Sequence, residues 1–234
     1  MYCHEVDRGK GRKLYLYSNK RNNYTVVPAL ESIDQLGGHA RWHDFREEWV
    51  FYAPTRQNRT FLPNKTECPL CPGIKGKRLT DISVTNYEIA VFNNRFSSLS
   101  REKKPFALSK NIKSDFSYGI CEVISYSSDH DTHLGSISNN NLNLLVKVWG
   151  ERYEKLMQDK NILYVLPFEN KGEEIGVTLE HPHGQIYAFS YVPEIILKQA
   201  KNHEGESSII NLINKLDKNL IIKRDSHSIL FVPP

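Results

Sequence analysis

A single long amphipathic segment, set among short extended ones, constrains the fold of this chain more than any other feature. Ser138 is a favourable helix N-cap residue, and apolar residues recur after it at a spacing of about 3.6 residues up to Asp159. The apolar positions are Leu142, Leu145, Val146, Trp149, Tyr153 and Leu156. We therefore predict an amphipathic helix here, with shorter helices at 193–203 and 207–216.

Short runs of β-branched and aromatic residues predict strands elsewhere. They cover residues 39–45, 49–54, 87–92, 119–126, 162–168, 220–223 and 229–232. The polar residues 46–48, between the first two runs, predict a hairpin. Mixed strands, long connections and one long helix are typical of an α+β fold in which helices flank an antiparallel sheet.

Residues 181–187 carry the clearest chemical signal. Their sequence is HPHGQIY and apolar residues continue it, so we predict a strand in which alternate side chains share a face. His181, His183 and Gln185 would then form one row. A neutral imidazole can act as a base, a metal ligand or a nucleophile near pH 7, although surface strands with two histidines are also common.

The segment before these histidines has the composition of a phosphate site. It contains Gly172 and Gly176 together with Asn170, Lys171 and Thr178. Glycine lets the backbone approach an anion closely, and successive N–H groups in a turn can bind that anion. The pattern Gly-x-x-x-x-Gly-Lys-Ser/Thr of a Walker loop does not occur, and ordinary turns contain similarly spaced glycines.

Composition excludes several classes of protein. The 234 residues, 25% charged and 39% hydrophobic, are typical of a globular chain that can bury a sizeable core. The formal charge of +4 is mild and no dense Lys/Arg stripe occurs, so we expect no nucleic-acid partner. Neither a long apolar run nor a signal-peptide core is present, which predicts a cytoplasmic protein without membrane contact.

Two of the four cysteines form a motif. Cys68 and Cys71 have the two-residue spacing that lets both sulfurs bind one ion, but a redox pair or two buried thiols are alternatives. The sequence has no second Cys-x-x-Cys, so a tetrahedral site would need histidines to complete it. For Cys3 and Cys121 we predict no site, only an exposed terminus and a buried strand.

Three segments together resemble one family. Residues 168–185, 68–72 and 93–96 are similar to the galactose-1-phosphate uridylyltransferases of the histidine-triad superfamily, especially to a bacterial branch. The resemblance implies a histidine-triad-like half-barrel at residues 1–190, followed at 191–234 by linker helices and the first strand of a truncated second repeat. It also implies weak hexose exchange and uncovered apolar surface near Leu230 and Val232, which favours a homodimer.

The resemblance also assigns metal ligands and catalytic residues. It implies a structural Zn²⁺ bound by Cys68, Cys71, His130 and His181. His130 is preferred to His133 because it ends a matching Ser-Asp-His. His183 aligns with the family's nucleophile, and Gln185 with a glutamine that binds phosphoryl oxygens. The implied reaction exchanges uridylyl between UDP-glucose or UDP-galactose and hexose 1-phosphates through a uridylyl-histidine.

Further positions are implied to contact the substrates. They are Arg56, Arg59, Asn94, Arg95, Asn170, Gly176, Val177, Thr178 and Gln185. Arg95 stands where many family members have an aspartate directed at the ribose. Two alternatives remain: a related nucleotidyltransferase or nucleotide hydrolase of the same superfamily, and an inactive zinc-binding remnant.

Overall fold

A computed structural model of the chain describes residues 1–31, 38–54, 56, 62–102, 111–203 and 209–233. The chain divides into two compact units, Met1–Tyr191 and Val192–Pro234. Within the described residues, no helix combines the length and the apolar character needed to cross a membrane.

An antiparallel sheet forms the centre of the first unit. The strands of this unit are β1 (Tyr2–Asp7), β2 (Lys13–Ser18), β3 (His39–His43), β4 (Glu48–Tyr52), β5 (Ile89–Asn93), β6 (Ser114–Phe116), β7 (Gly119–Ser125), β8 (Tyr164–Phe168) and β9 (His183–Phe189). Six of them pair in the order β1-β2-β5-β7-β9-β8, and every pair is antiparallel. With the long helix α1 (Asn139–Met157) packed beside it, this sheet confirms the predicted fold class.

Both faces of the sheet are buried at its centre. Every residue of β7 is buried. In β5, Ile89 and Val91 pack into a core shared with α1, while Ala90 and Phe92 pack on the opposite face against the loop at 68–71. Because side chains alternate between two covered faces, these strands are mainly apolar rather than alternately polar, with Glu122 of β7 as a buried exception.

The predicted helix is confirmed, with α1 ending at Met157. The Ser138 hydroxyl caps it by accepting a hydrogen bond from the Asn141 amide at 3.2 Å. An exposed N–H group at the first turn is thereby satisfied, which fixes where the helix begins.

The buried face of α1 differs from the predicted one. Val146 and Tyr153, predicted to face the core, are 61% and 45% exposed. Arg152 is buried instead, because its guanidinium donates to the Glu122 carboxylate of β7 at 2.9 and 2.5 Å and lies 4.2 Å from the ring of Tyr15. An apolar periodicity cannot anticipate a buried cation that the sheet neutralises.

A smaller sheet has the strand order β4-β3-β6. Its β3-β4 pair confirms the hairpin predicted around residues 46–48. The sequence patterns missed β1, β2 and β6. Five of the six β1 residues are exposed, as is common for an edge strand, so β1 lacks an apolar signal.

The second unit contains α2 (Glu194–Asn202), α3 (Ile209–Lys215) and the antiparallel pair β10 (Ile221–Arg224) and β11 (Ile229–Phe231). These elements confirm the helices and strands predicted after residue 192. Its identity as the start of a truncated second repeat stays a prediction.

Candidate functional site

Strand β9 begins at His183, whereas the predicted strand begins two residues earlier, at His181. Pro182 has no amide hydrogen for the ladder, and its carbonyl accepts a hydrogen bond from the Tyr126 amide at 3.1 Å. His181 therefore lies ahead of the strand, and only His183 and Gln185 of the predicted row belong to it.

The two remaining members of the row share one face of β9. Ile186 and Ala188 point into the core beside α1, so His183 and Gln185 point to the opposite face. That face is covered only in part, and both side chains remain partly accessible.

A backbone carbonyl determines which ring nitrogen of His183 carries the hydrogen. The ring Nδ1 lies 2.7 Å from the carbonyl oxygen of His181 and can donate its hydrogen to it, which leaves the lone pair on Nε2. Burial lowers the pKa of His183, and the bond to the His181 carbonyl only partly opposes this effect. A neutral imidazole with a free Nε2 is the nucleophilic form.

Three cavities border His183, with volumes of 90, 190 and 320 Å³. The 90 Å³ cavity has apolar walls that include Leu70, Phe92, Val123 and Leu179. Polar side chains stand at its edges. Apolar walls with a few convergent polar groups are typical of sites for small ligands.

Gln185 is oriented by Asn94. The Asn94 side-chain amide donates to Oε1 of Gln185 at 3.3 Å, while the Asn94 Oδ1 accepts from the Phe96 amide at 2.9 Å. These bonds direct the Gln185 NH₂ group away from Asn94. Gln185 can therefore donate hydrogen bonds to a ligand oxygen beside His183.

Arg95 is held by a carboxylate that the sequence patterns did not select. Asp81 is 6% exposed, lies 3.3 Å from Arg8 and 3.6 Å from Arg95, and lines the 90 Å³ cavity with Arg95. Burial raises the pKa of Asp81 although both arginines oppose the shift. A single aspartate within residues 80–84 gives little indication of a site in the sequence. Its burial depends on Arg8 and Arg95, which are distant in the sequence.

The glycine-containing loop lines the 190 Å³ cavity through Gly176, Val177, Thr178 and Asn170. Gly172 and Gly176 have φ values of 110° and 75°, a region that favours glycine. The N–H groups of Gly176 and Val177 donate within the loop, at 2.8 and 3.3 Å. These two amides already have acceptors within the loop, and Asn170 and Thr178 line the same cavity as further polar residues. Anion binding by this loop stays a prediction.

Cys68, Cys71, His130 and His181 form a cluster that could hold a metal ion, with all four ligand atoms within 4.8 Å of one another. Cys71 Sγ lies 3.4 and 3.5 Å from Nδ1 of His130 and His181, and these two nitrogens are 3.3 Å apart. Tetrahedral ligands at about 2.0–2.3 Å from zinc would be separated by roughly 3.3–3.8 Å. The three distances among Cys71, His130 and His181 therefore fit such an ion, and Cys68 Sγ lies within 4.8 Å of the other three atoms.

Hydrogen bonds around the cluster prepare His181 as a ligand. Its Nε2 lies 2.8 Å from the Ser127 carbonyl oxygen and 3.0 Å from the Tyr87 hydroxyl. With the hydrogen on Nε2, the Nδ1 lone pair faces the cluster. The hydrogen bond from the Cys71 thiol lowers the pKa of Cys68.

The structure brings together the predicted residues that it describes, whereas Arg59 lies outside the described residues. Arg56 lines the 90 and 190 Å³ cavities and donates a hydrogen bond to Tyr187 at 3.0 Å. Tyr187 was not singled out in the sequence, although it continues the alternation of His183 and Gln185. His133 is exposed and lies outside the metal-ligand cluster.

Comparison with known proteins gives one consistent result. The family model described as "Galactose-1-phosphate uridyl transferase, N-terminal domain" matches residues 29–193. Galactose-1-phosphate uridylyltransferase of Thermotoga maritima is 37% identical over 67% of this chain, and that of Streptomyces lividans is 35% identical over 70%. These alignments cover 48% and 43% of the two relatives, so the chain spans about half the length of the curated relatives it matches.

Solved structures share the fold. A structure titled "Structure of uridylyltransferase" has a TM-score of 0.65 at 22% identity, covering 83% of this chain and 61% of that one. An ADP-glucose phosphorylase from Arabidopsis thaliana has a TM-score of 0.51 at 20% identity, covering 82% and 62%. At this identity the likeness concerns the architecture alone.

Proposed function

Because the chain belongs to the galactose-1-phosphate uridylyltransferase family, we propose that His183 accepts a uridylyl group from a UDP-hexose. UDP-glucose, UDP-galactose and hexose 1-phosphates are the proposed substrates, since the names of the relatives give galactose 1-phosphate and a uridylyl group. The observation that carries this proposal is the position of His183. Its Nδ1 is hydrogen-bonded to the carbonyl oxygen of His181, and its ring borders three cavities.

The reaction divides into two displacements at phosphorus. The Nε2 lone pair of His183 attacks the α-phosphorus of UDP-glucose, a P–N bond forms, and the P–O bond to the leaving glucose 1-phosphate breaks. A phosphate oxygen of galactose 1-phosphate then attacks the uridylyl phosphorus, the P–N bond breaks, and UDP-galactose leaves. Between these steps the ring carries positive charge, which the carbonyl of His181 stabilises through Nδ1–H.

Neighbouring side chains supply binding and orientation. The Gln185 NH₂ group donates to a phosphoryl oxygen, and Arg56, Asn170 and Thr178 bind the remaining phosphate oxygens. Since a neutral amide cannot act as an acid, Gln185 suits an intermediate that waits for a sugar phosphate instead of reacting with water.

We propose a structural zinc at the cluster of Cys68, Cys71, His130 and His181. Thiolate and imidazole donors suit zinc, and four protein ligands leave no open position for a substrate. A bound zinc would neutralise the thiolates and hold His181 in one orientation. The carbonyl that orients His183 belongs to the same residue, so the metal site would position the nucleophile.

The central test is labelling with UDP-glucose that carries radioactive α-phosphate. Wild-type protein should gain an acid-labile, base-stable histidine adduct, whereas His183→Asn should fold, keep its metal and gain none. His43→Asn, which alters an exposed histidine of β3, is the matched control and should label normally. Full labelling of His183→Asn would assign the nucleophile elsewhere.

The same assay separates the related functions. Labelling by ADP-glucose in preference to UDP-glucose would indicate a different nucleotidyltransferase, and rapid release of the label in water alone would indicate a hydrolase. Transfer of the label to galactose 1-phosphate supports the proposed exchange.

A further inference from the structure

Tyr187 continues the row that holds the proposed nucleophile. His183, Gln185 and Tyr187 are alternate residues of β9 and therefore lie on one face of the strand. The Tyr187 hydroxyl accepts a hydrogen bond of 3.0 Å from Nη2 of Arg56. Arg56 follows β4 in the sequence and lines two of the cavities that border His183.

The ring of Tyr187 is held firmly. It is 8% exposed and packs edge to face on Phe168 at 5.1 Å, with Phe189 at 5.8 Å. Cys121 is its register partner in β7. Burial raises the pKa of Tyr187 to about 12, so the neutral phenol oxygen is available as an acceptor at pH 7.

We propose that Tyr187 is a positioning residue that aims the Arg56 guanidinium at the phosphates of the bound nucleotide. A guanidinium carries five N–H donors in one rigid plane, so fixing one of them fixes the directions of the others. The strand that carries His183 would thereby also set the position of Arg56, a cation that follows β4 in the sequence. This inference rests on the proposed function, since it takes a nucleoside diphosphate as the ligand.

Binding of UDP and of uridine to the full chain tests this role. Tyr187→Phe keeps the ring and its packing but removes the acceptor, so UDP should bind about tenfold more weakly while uridine binds as before. Arg56→Ala should weaken UDP binding at least as much. Adding Tyr187→Phe to Arg56→Ala should then have no further effect, because the two residues act through one contact.

Two further variants make the result specific. Tyr191→Phe removes a hydroxyl from the same aromatic cluster, beside Phe189 and Phe51, and should leave UDP binding unchanged. Arg56→Lys keeps the charge but loses the planar fork, and should weaken UDP binding even if Tyr187→Phe fails to fold.

The outcomes are distinguishable. Wild-type affinity for UDP in Tyr187→Phe or in Arg56→Lys would overturn the positioning role while leaving the proposed function intact. Equal losses for UDP and uridine would mean that Tyr187 supports the pocket as a whole, which also overturns it. A wild-type chain that binds no UDP would remove the proposed function and this inference with it.

Discussion

His181 and His183 are two residues apart, yet different ring nitrogens of the two side chains lie beside backbone carbonyls. Nε2 of His181 is hydrogen-bonded to the Ser127 carbonyl oxygen, and its Nδ1 faces the cluster that contains Cys68 and Cys71. Nδ1 of His183 is hydrogen-bonded to the carbonyl oxygen of His181, so Nε2 is the ring nitrogen available to a ligand in the cavities. The backbone acceptor beside each ring therefore leaves the nitrogen that the proposed role needs, Nδ1 for a metal ligand at His181 and Nε2 for a nucleophile at His183.

At the residue scale, metal binding is testable through one thiol. Purified wild-type chain should hold about one zinc, and Cys68→Ala should lose it together with about 3 kcal/mol or more of stability, which is roughly 10 °C in Tm. Metal analysis and thermal unfolding measure both effects. Cys3→Ala makes the same chemical change at an exposed strand position and should alter neither quantity. A metal-free wild type of equal stability would contradict the site.

At the element scale, β9 depends on a residue without a side chain. A Cβ built on Gly184 would lie 2.0 Å from the Tyr126 hydroxyl and 2.8 Å from the Phe168 carbonyl oxygen. Tyr126 and Ile186 belong to the core beside α1, which leaves little room for the strand to move. The close approach lets β9 pack between β7 and β8 while His183 stays on the other face.

Gly184→Ala should therefore lower the free energy of unfolding by about 1–3 kcal/mol and reduce labelling of His183, because the strand must shift. Gly150→Ala is the matched control. Gly150 lies in α1, nothing lies within 4 Å of a Cβ placed there, and the change should stabilise the chain by about 0.5–1 kcal/mol. Urea denaturation of both variants gives the comparison, and equal stability of Gly184→Ala and wild type would show that β9 tolerates the extra carbon.

At the scale of the whole molecule, the described site residues lie in the first unit, Met1–Tyr191. The metal-ligand cluster joins the loop at 68–71, the segment after β7 and the segment before β9. These segments are far apart in sequence, so a bound ion would cross-link the unit.

A chain ending at Tyr191 should consequently fold, bind zinc and label with UDP-glucose at a rate comparable to that of the full chain. Circular dichroism, metal analysis and the labelling assay test the three parts. An unfolded or unlabelled product would mean that the first unit needs residues 192–234, and the two units would then have to be treated as one cooperative structure.

Sequence patterns identified most elements because local signals marked them. The capped helix carries an apolar periodicity, the β3-β4 hairpin has polar residues at its turn, and β5 and β7 are rich in β-branched and other apolar residues, each within a single segment. The edge strand β1 and the three-residue β6 carry neither signal. They were missed because pairing with distant partners, rather than their own composition, makes them strands.

The sequence by itself determined the fold class and the chemistry available, because the spacing of Cys68 and Cys71 and the alternation around His183 are local properties of the chain. Only the tertiary structure decided the buried face of α1, the Asp81 carboxylate beside Arg95, and the contact of Arg56 with Tyr187. Each of these depends on a polar pair whose members are distant in sequence. Burial of a charge or a phenol is favourable only when folding supplies its partner, and no single segment contains that information.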